Sequence, residues 1–229
     1  MCKAMLETGI TPDFITVDGA EGGTGAAPVE FTNHLGMVCI EALNFVQNAL
    51  VGVGLRDKIK IIASGKTASS FDLITKVANG ADIVNAARTM MMAIGCVQSK
   101  HCNNNLCPTG IATQNPVRGK AIHVEEKSER VKNFHKNTLE SFYELVGSMG
   151  LDDPAKLQPQ MLKRRSPYGG LMSMGSLIAP LKPNALVDNQ PVSEVWQRWW
   201  KACNAERFFV SDDYILPPAE VKGSEGINR

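Results

Sequence analysis

Three cysteines fall close together as Cys96-x5-Cys102-x4-Cys107-Pro108, inside GCVQSKHCNNNLCPTGIATQ. Thiolates are soft ligands. Three on one loop, with a proline directly after the last, suit an iron–sulfur cluster in which the proline turns the chain away from the metal. Three ligands without a nearby fourth favour a three-iron cluster. The alternatives are unligated buried cysteines, or zinc held with His101. His101 and Cys102 are adjacent, however, and would struggle to reach one tetrahedral ion together.

A second chemical segment is Asp18-Gly-Ala-Glu-Gly-Gly-Thr-Gly-Ala-Ala-Pro28. Gly22, Gly23 and Gly25 let backbone N–H groups approach an anionic ligand closely, and Thr24 adds a hydroxyl. The loop lacks the Lys of a P-loop and the spacing of a dinucleotide fingerprint. Two further turns, Ser64-Gly65-Lys66 and Ala86-Ala87-Arg88, have the small residues and single cations of a phosphate site. Barrels build such a site from the loops after their last two strands.

These segments need elements to position them. Cys2 to Glu7 has helical spacing and ends at Gly9. Phe14 to Asp18 is a β-branched run that predicts a buried strand, and Val38 to Leu50 predicts a helix packed on a sheet. Lys58 to Ala63 predicts a second strand, Ser69 or Ser70 a helix cap, and Ala81 to Asn85 a third strand. Strands separated by helices imply βαβ units and a parallel sheet. In such sheets ligands sit at the strand carboxyl ends, so the Asp18, Ser64 and Asn85 turns are expected on one rim. Val124 to Met149 predicts an amphipathic helix whose apolar face carries Val131, Phe134, Leu139, Phe142 and Leu145. Pro154 to Pro218 has no sustained periodicity and reads as a tail wrapping a body or meeting a partner.

The 229 residues carry 24 Lys and Arg against 23 Asp and Glu, a net charge of +1, which removes the electrostatic footprint of a nucleic-acid binder. No apolar run approaches the roughly 18 residues of a membrane span. Met1 to Gly9 does not read as a signal peptide, because Lys3 and Glu7 interrupt it, so a cytoplasmic protein without a disulfide framework is expected. Eight of the 12 prolines follow Leu151, whereas 13 of the 20 glycines precede Lys120, which divides a glycine-punctuated front from a proline-rich tail.

Together, VDGAEGGTGAAP, KIIASGK, GADIVNAAR, the GC-x5-C-x4-CPTGIATQ segment and ERVKNFHKNTLE resemble the FMN-binding synthase domain of the glutamate synthase family, from about Met5 to Leu157. The stand-alone members are the most similar. The resemblance implies an oxidoreductase acting on CH–NH2 donors in glutamate biosynthesis, with a (β/α)8 barrel, FMN and a 3Fe–4S cluster, that reductively aminates 2-oxoglutarate with ammonia derived from glutamine. It implies Cys96, Cys102 and Cys107 as cluster ligands, and Ser64, Gly65, Lys66, Ala86, Ala87 and Arg88 as the FMN-facing turns. It also implies Gly22, Gly23 and Thr24 as part of the flavin and 2-oxoglutarate pocket. Many family members have His-Asp where this chain has Ala20-Glu21, and Gln where it has Lys66. An FMN and iron–sulfur barrel with another substrate, or a non-catalytic iron–sulfur subunit, are therefore the alternatives.

A (β/α)8 barrel takes roughly 250 residues. Three βα units precede the cysteine loop here, and by resemblance they are units six to eight. The expectation is the C-terminal portion of a TIM barrel with a C-terminal helix and an irregular proline-rich tail: residues 1–122 the partial barrel with the cysteine loop at 96–107, 123–150 the helix, 151–229 the tail. An isolated fragment of this kind is expected not to turn over, and the expected protein partner is an electron-donor protein or the N-terminal half of the barrel. Cys2 is followed by an amphipathic helix without the glycine-rich turn of an N-terminal nucleophile, so no glutaminase is expected.

Overall fold

The computed structural model describes residues 1–19, 30, 34–165 and 170–208. Helix α1 (Cys2–Thr8) stops where Gly9 turns left-handed, at φ 70°, and returns its N–H to the Met5 carbonyl. Three strands follow, β1 (Phe14–Asp18), β2 (Lys60–Ser64) and β3 (Ile83–Asn85), paired in parallel in that order. Between them lie α2 (Cys39–Gly52) and α3 (Ser70–Ala78). Each parallel step needs a crossover, and the two helices supply it. A short α4 (Arg88–Ala93), α5 (Pro116–Gly119) and the 25-residue α6 (Val124–Ser148) complete the front part.

Strand alternation divides the sheet into two faces. Val17, Ile61 and Ala63 are buried against Cys39, Leu43 and Leu50 of α2, in a core that includes Ile59. Burying a side chain such as Ile61 contributes roughly 1.5–3 kcal/mol. The opposite face carries Phe14, Thr16 and Asp18, then Lys60, Ile62 and Ser64, then Ile83 and Asn85. Phe14 is 56% and Ile83 51% exposed, so this apolar-bearing face is open. Parallel sheets ordinarily have both faces covered.

The tail has more order than its sequence suggests. It carries a hairpin of β4 (Lys163–Arg165) and β5 (Leu171–Ser173), then α7 (Glu194–Ala202). Leu157 and Leu162 pack with Ile74 and Ala78 of α3 and Phe142 and Val146 of α6. Leu186 and Trp196 join the main core. Short tail segments bury one or two anchors each, which leaves no period to detect in sequence. On α6 the buried positions are Phe142 and Val146, whereas Leu139 and Leu145 are exposed. The apolar stripe is thus rotated from the expected one, because α3 and Leu157 approach from the Val146 side.

Candidate functional site

The strand register brings three polar side chains into one row. Asp18 pairs with Ser64, and Ser64 with Asn85, at the carboxyl ends of β1, β2 and β3 on the open face. The Ser64 hydroxyl donates to Asp18 Oδ2 at 3.3 Å, and the Gly19 N–H donates to the Ser64 carbonyl at 3.2 Å. Gly19 is required here, since a Cβ would stand 2.5 Å from the Cys39 backbone nitrogen. The expected common rim of the three turns is therefore present.

After β2 the chain turns through Gly65 at φ 143° and Lys66 at φ 39°, a left-handed conformation that a lysine adopts only under local constraint. The Thr89 hydroxyl donates to the Thr67 carbonyl, which ties the turn after β3 to the turn after β2. Ser64, Gly65 and Lys66 thus stand beside the turn of Ala86, Ala87 and Arg88; Lys66, Ala87 and Arg88 are exposed. Gly22, Gly23 and Thr24, with Ala20 and Glu21, lie outside the described residues.

Two residues at this rim were missed from sequence. Thr67 is 8% exposed, and its Oγ1 is the one buried side-chain polar atom without a partner among the described residues. Lys76, 4% exposed, sends its amine back up α3 to the Lys66 carbonyl at 3.5 Å. The only signal available was a lysine flanked by Ile74, Val77 and Ala78 in the helix-forming stretch from Leu73 to Ala78. An orphaned buried hydroxyl beside strained backbone is what an anionic ligand group would satisfy, so the rim fits the phosphate end of a flavin mononucleotide.

The cysteine loop is built by its asparagines and one glycine. Asn105 is left-handed at φ 65°, and its side chain accepts from Thr113 Oγ1 and the Gln114 N–H. Asn115 caps α5 through the N–H groups of Val117 and Arg118. Gly110 lies so close to the Arg118 carbonyl that a Cβ would be 2.2 Å from its oxygen. Cys107 is buried, while Cys96 and Cys102 are half-buried. The Thr109 hydroxyl, 3.4 Å away, and the N–H groups of Ala112, Thr109 and Ile111 pull the Cys107 thiol down from 9.0 to about 7, against the opposing effect of burial. A sulfur surrounded by N–H donors suits an anionic metal-bound thiolate. Among the described residues, no three His, Cys, Asp or Glu side chains are grouped as a metal site. Cys96, Cys102 and Cys107 are therefore not brought together as a three-ligand set in this structure, and only the donor shell around Cys107 suits a metal-bound sulfur.

A cavity of about 340 Å3 lies at the opposite, amino-terminal end of the strands, walled by Asn44, Asn48, Asn79, Arg56 and Asp82. Its polar wall is already bonded: Asn44 donates to Asn79 at 3.2 Å, and Arg56 pairs with Asp82 at 2.8 Å. It lies away from the rim, and the tail residues Leu157, Gln158 and Ile178 form part of its wall. No helix among the described residues is long and apolar enough to cross a membrane.

Residues 3–152 match the family model described as the conserved region in glutamate synthase. The chain is 38% identical over 174 residues to a glutamate synthase large subunit-like protein, YerD, of Bacillus subtilis, covering 76% of this chain and 33% of that protein. It is 38% identical over 146 residues to an archaeal glutamate synthase (NADPH) of Methanocaldococcus jannaschii, covering 64% of this chain and 29% of the other. A chloroplastic ferredoxin-dependent glutamate synthase of Arabidopsis thaliana is 34% identical over 122 residues, 49% of this chain and 8% of the other. The chain thus spans about a third of the length of the first two relatives. Among solved structures, a mutant flavocytochrome b2 with benzoylformate covers 83% of this chain and 43% of its own at 14% identity and a TM-score of 0.41, too loose a likeness to build on.

Proposed function

Because the chain belongs to the glutamate synthase family, we propose that it forms about units six to eight of a (β/α)8 barrel in a glutamate synthase-type oxidoreductase. The reaction proposed is reductive amination of 2-oxoglutarate to glutamate with ammonia derived from glutamine. The observation that carries this reading is the Asp18–Ser64–Asn85 row at the strand carboxyl ends, beside a strained turn with an orphaned hydroxyl. The open sheet face supports it too, since further strands, from the same or another polypeptide, would cover Phe14 and Ile83.

In this reading the turns Ser64-Gly65-Lys66 and Ala86-Ala87-Arg88 hold the FMN phosphate, and Gly22, Gly23 and Thr24 line the oxo-acid pocket. Cys96, Cys102 and Cys107 hold a 3Fe–4S cluster. When bound, the flavin supplies hydride chemistry and the cluster relays single electrons. The residues of this chain orient and screen. The Ser64 hydroxyl fixes the Asp18 carboxylate at the rim, and the Cys107 surroundings favour the thiolate form of its sulfur. The electrons come from a donor protein or from a reduced nicotinamide, and the N-terminal half of the barrel is the other partner in this reading.

Anaerobic reconstitution of the chain with iron, sulfide and FMN tests the cofactors. Expected are a flavin band and iron–sulfur absorption, each at about one equivalent. Absence of both would remove the reading. Glutamate formation is to be assayed with the strands that complete the barrel present.

A further inference from the structure

Helix α1 and the end of tail helix α7 meet in a clamp that neither the rim nor the cysteine loop uses. Lys3 holds its ammonium over the Trp200 ring, 5.1 Å from the centroid, and donates to the Cys203 carbonyl at 2.7 Å, across 200 positions of sequence. Cys2, the residue before it, packs against the same core as Trp199 and Trp200 of α7. Cys203 is the C-cap of α7, and its N–H donates to the Trp199 carbonyl. Both thiols are free, Cys2 half-buried and Cys203 exposed.

The two sulfurs also sense one another. Burial pushes the Cys2 thiol up, and the negative charge of Cys203 acts in the same direction. Charge effects between partly exposed groups fade beyond roughly 10 Å in salt, so the thiols are near neighbours. A disulfide asks for Cα atoms within about 7 Å of each other. Each cysteine stands at a helix end, where the backbone yields more readily than inside a helix, so closing the pair disturbs neither helix interior.

We propose that Cys2 and Cys203 form a reversible disulfide on exposure to hydrogen peroxide, and that this bridge locks the tail helix α7 to α1. The exposed Cys203 meets the oxidant first. Its thiolate attacks one peroxide oxygen, the O–O bond breaks, hydroxide leaves, and Cys203 becomes a sulfenic acid. The Cys2 thiolate then attacks that sulfur, the S–O bond breaks, and the departing hydroxide takes up a proton. In sum two thiols give up two protons and two electrons, and one hydrogen peroxide becomes two waters. The bridge is independent of the flavin and of the cluster.

The test treats the reduced full chain with hydrogen peroxide, blocks the remaining thiols, and maps its peptides by mass spectrometry without reduction, with thermal melting of the same samples. A cross-linked peptide joining Cys2 to Cys203 within one chain is expected, and dithiothreitol should remove it. Closing a loop of about 200 residues should raise the melting temperature by roughly 5–15 °C, reversibly. Cys2→Ser and Cys203→Ser should each abolish both the cross-link and the shift. Cys203 recovered as a sulfinic acid, or joined to another cysteine or a second chain while Cys2 stays a thiol, overturns the proposal. A cross-link that leaves the melting temperature unmoved overturns the locking of the tail.

Discussion

The Trp196 indole lies flat on Phe45, with ring centroids 5.3 Å apart and planes within 4° of parallel, so the tail helix α7 is stacked on the outer side of α2. Trp199 meets both rings edge-on, and the Trp196 Nε1–H donates to the Ala179 carbonyl at 2.9 Å. The stack ties residues about 150 positions apart, so the tail is part of the core.

Trp196→Ala should therefore destabilise the chain by roughly 3–5 kcal/mol, the usual range for deleting a buried aromatic. Urea unfolding followed by circular dichroism measures it. A loss below about 1 kcal/mol would mean that the tail docks without Trp196.

Gly110→Ala should disturb the cysteine loop while sparing the sheet. The new methyl meets the Arg118 carbonyl at 2.2 Å, and Gly110 sits at φ 78°. The backbone alone costs roughly 1–2 kcal/mol there. Iron uptake on reconstitution should fall while the far-ultraviolet dichroism stays native. Full iron uptake by the variant would show that the turn at Gly110 does not shape the site.

Serine at Cys96, Cys102 or Cys107 should each reduce iron affinity by at least roughly tenfold. Cys203→Ser, at the exposed C-cap of α7, should leave it unchanged. Iron quantification after desalting reads the difference. Equal iron in all four variants would exclude the three-cysteine site.

Asp72 supplies an acid-sensitive contribution. Burial pushes its carboxyl upward, but the N–H groups of Ala68 and Ser69, the Ser69 hydroxyl and the charge of Lys76 outweigh it and hold the group below 3.8. A carboxyl depressed in the folded state adds stability that is complete above its unfolded value, near 3.8, and is lost as pH falls through the lower folded value. Asp72→Asn should thus melt below the native chain at neutral pH, and the gap should close in acid below pH 3.8. A gap independent of pH would assign the loss to geometry and not to charge. The same carboxylate closes the capping box of α3 with Ser69, which is why the helix starts there.

Much of the front part was legible beforehand. The run from Phe14 to Asp18 formed the strand expected of it, and Gly9 and Asn79 ended their helices. The row of Asp18, Ser64 and Asn85 also followed from the rule that parallel strands present their carboxyl ends together. The tail was not legible, because each anchor, such as Leu157 or Leu186, is buried singly against a distant element. The α6 stripe was misjudged at Leu139 and Leu145 for a related reason: which side of a long helix is covered depends on what approaches it.

The sequence by itself determined what depends on near neighbours: the period of strands and helices, their caps, the cysteine spacing and the family motifs. Only the tertiary structure decided what depends on distant chain segments meeting. The fold turned Lys76 from one residue of an amphipathic helix into a buried cation reaching toward the rim, and left the Thr67 hydroxyl buried without a partner among the described residues. Both outcomes follow from desolvation. Whether a polar group is costly or satisfied is set by the atoms packed around it, and those come from segments that no local pattern brings together.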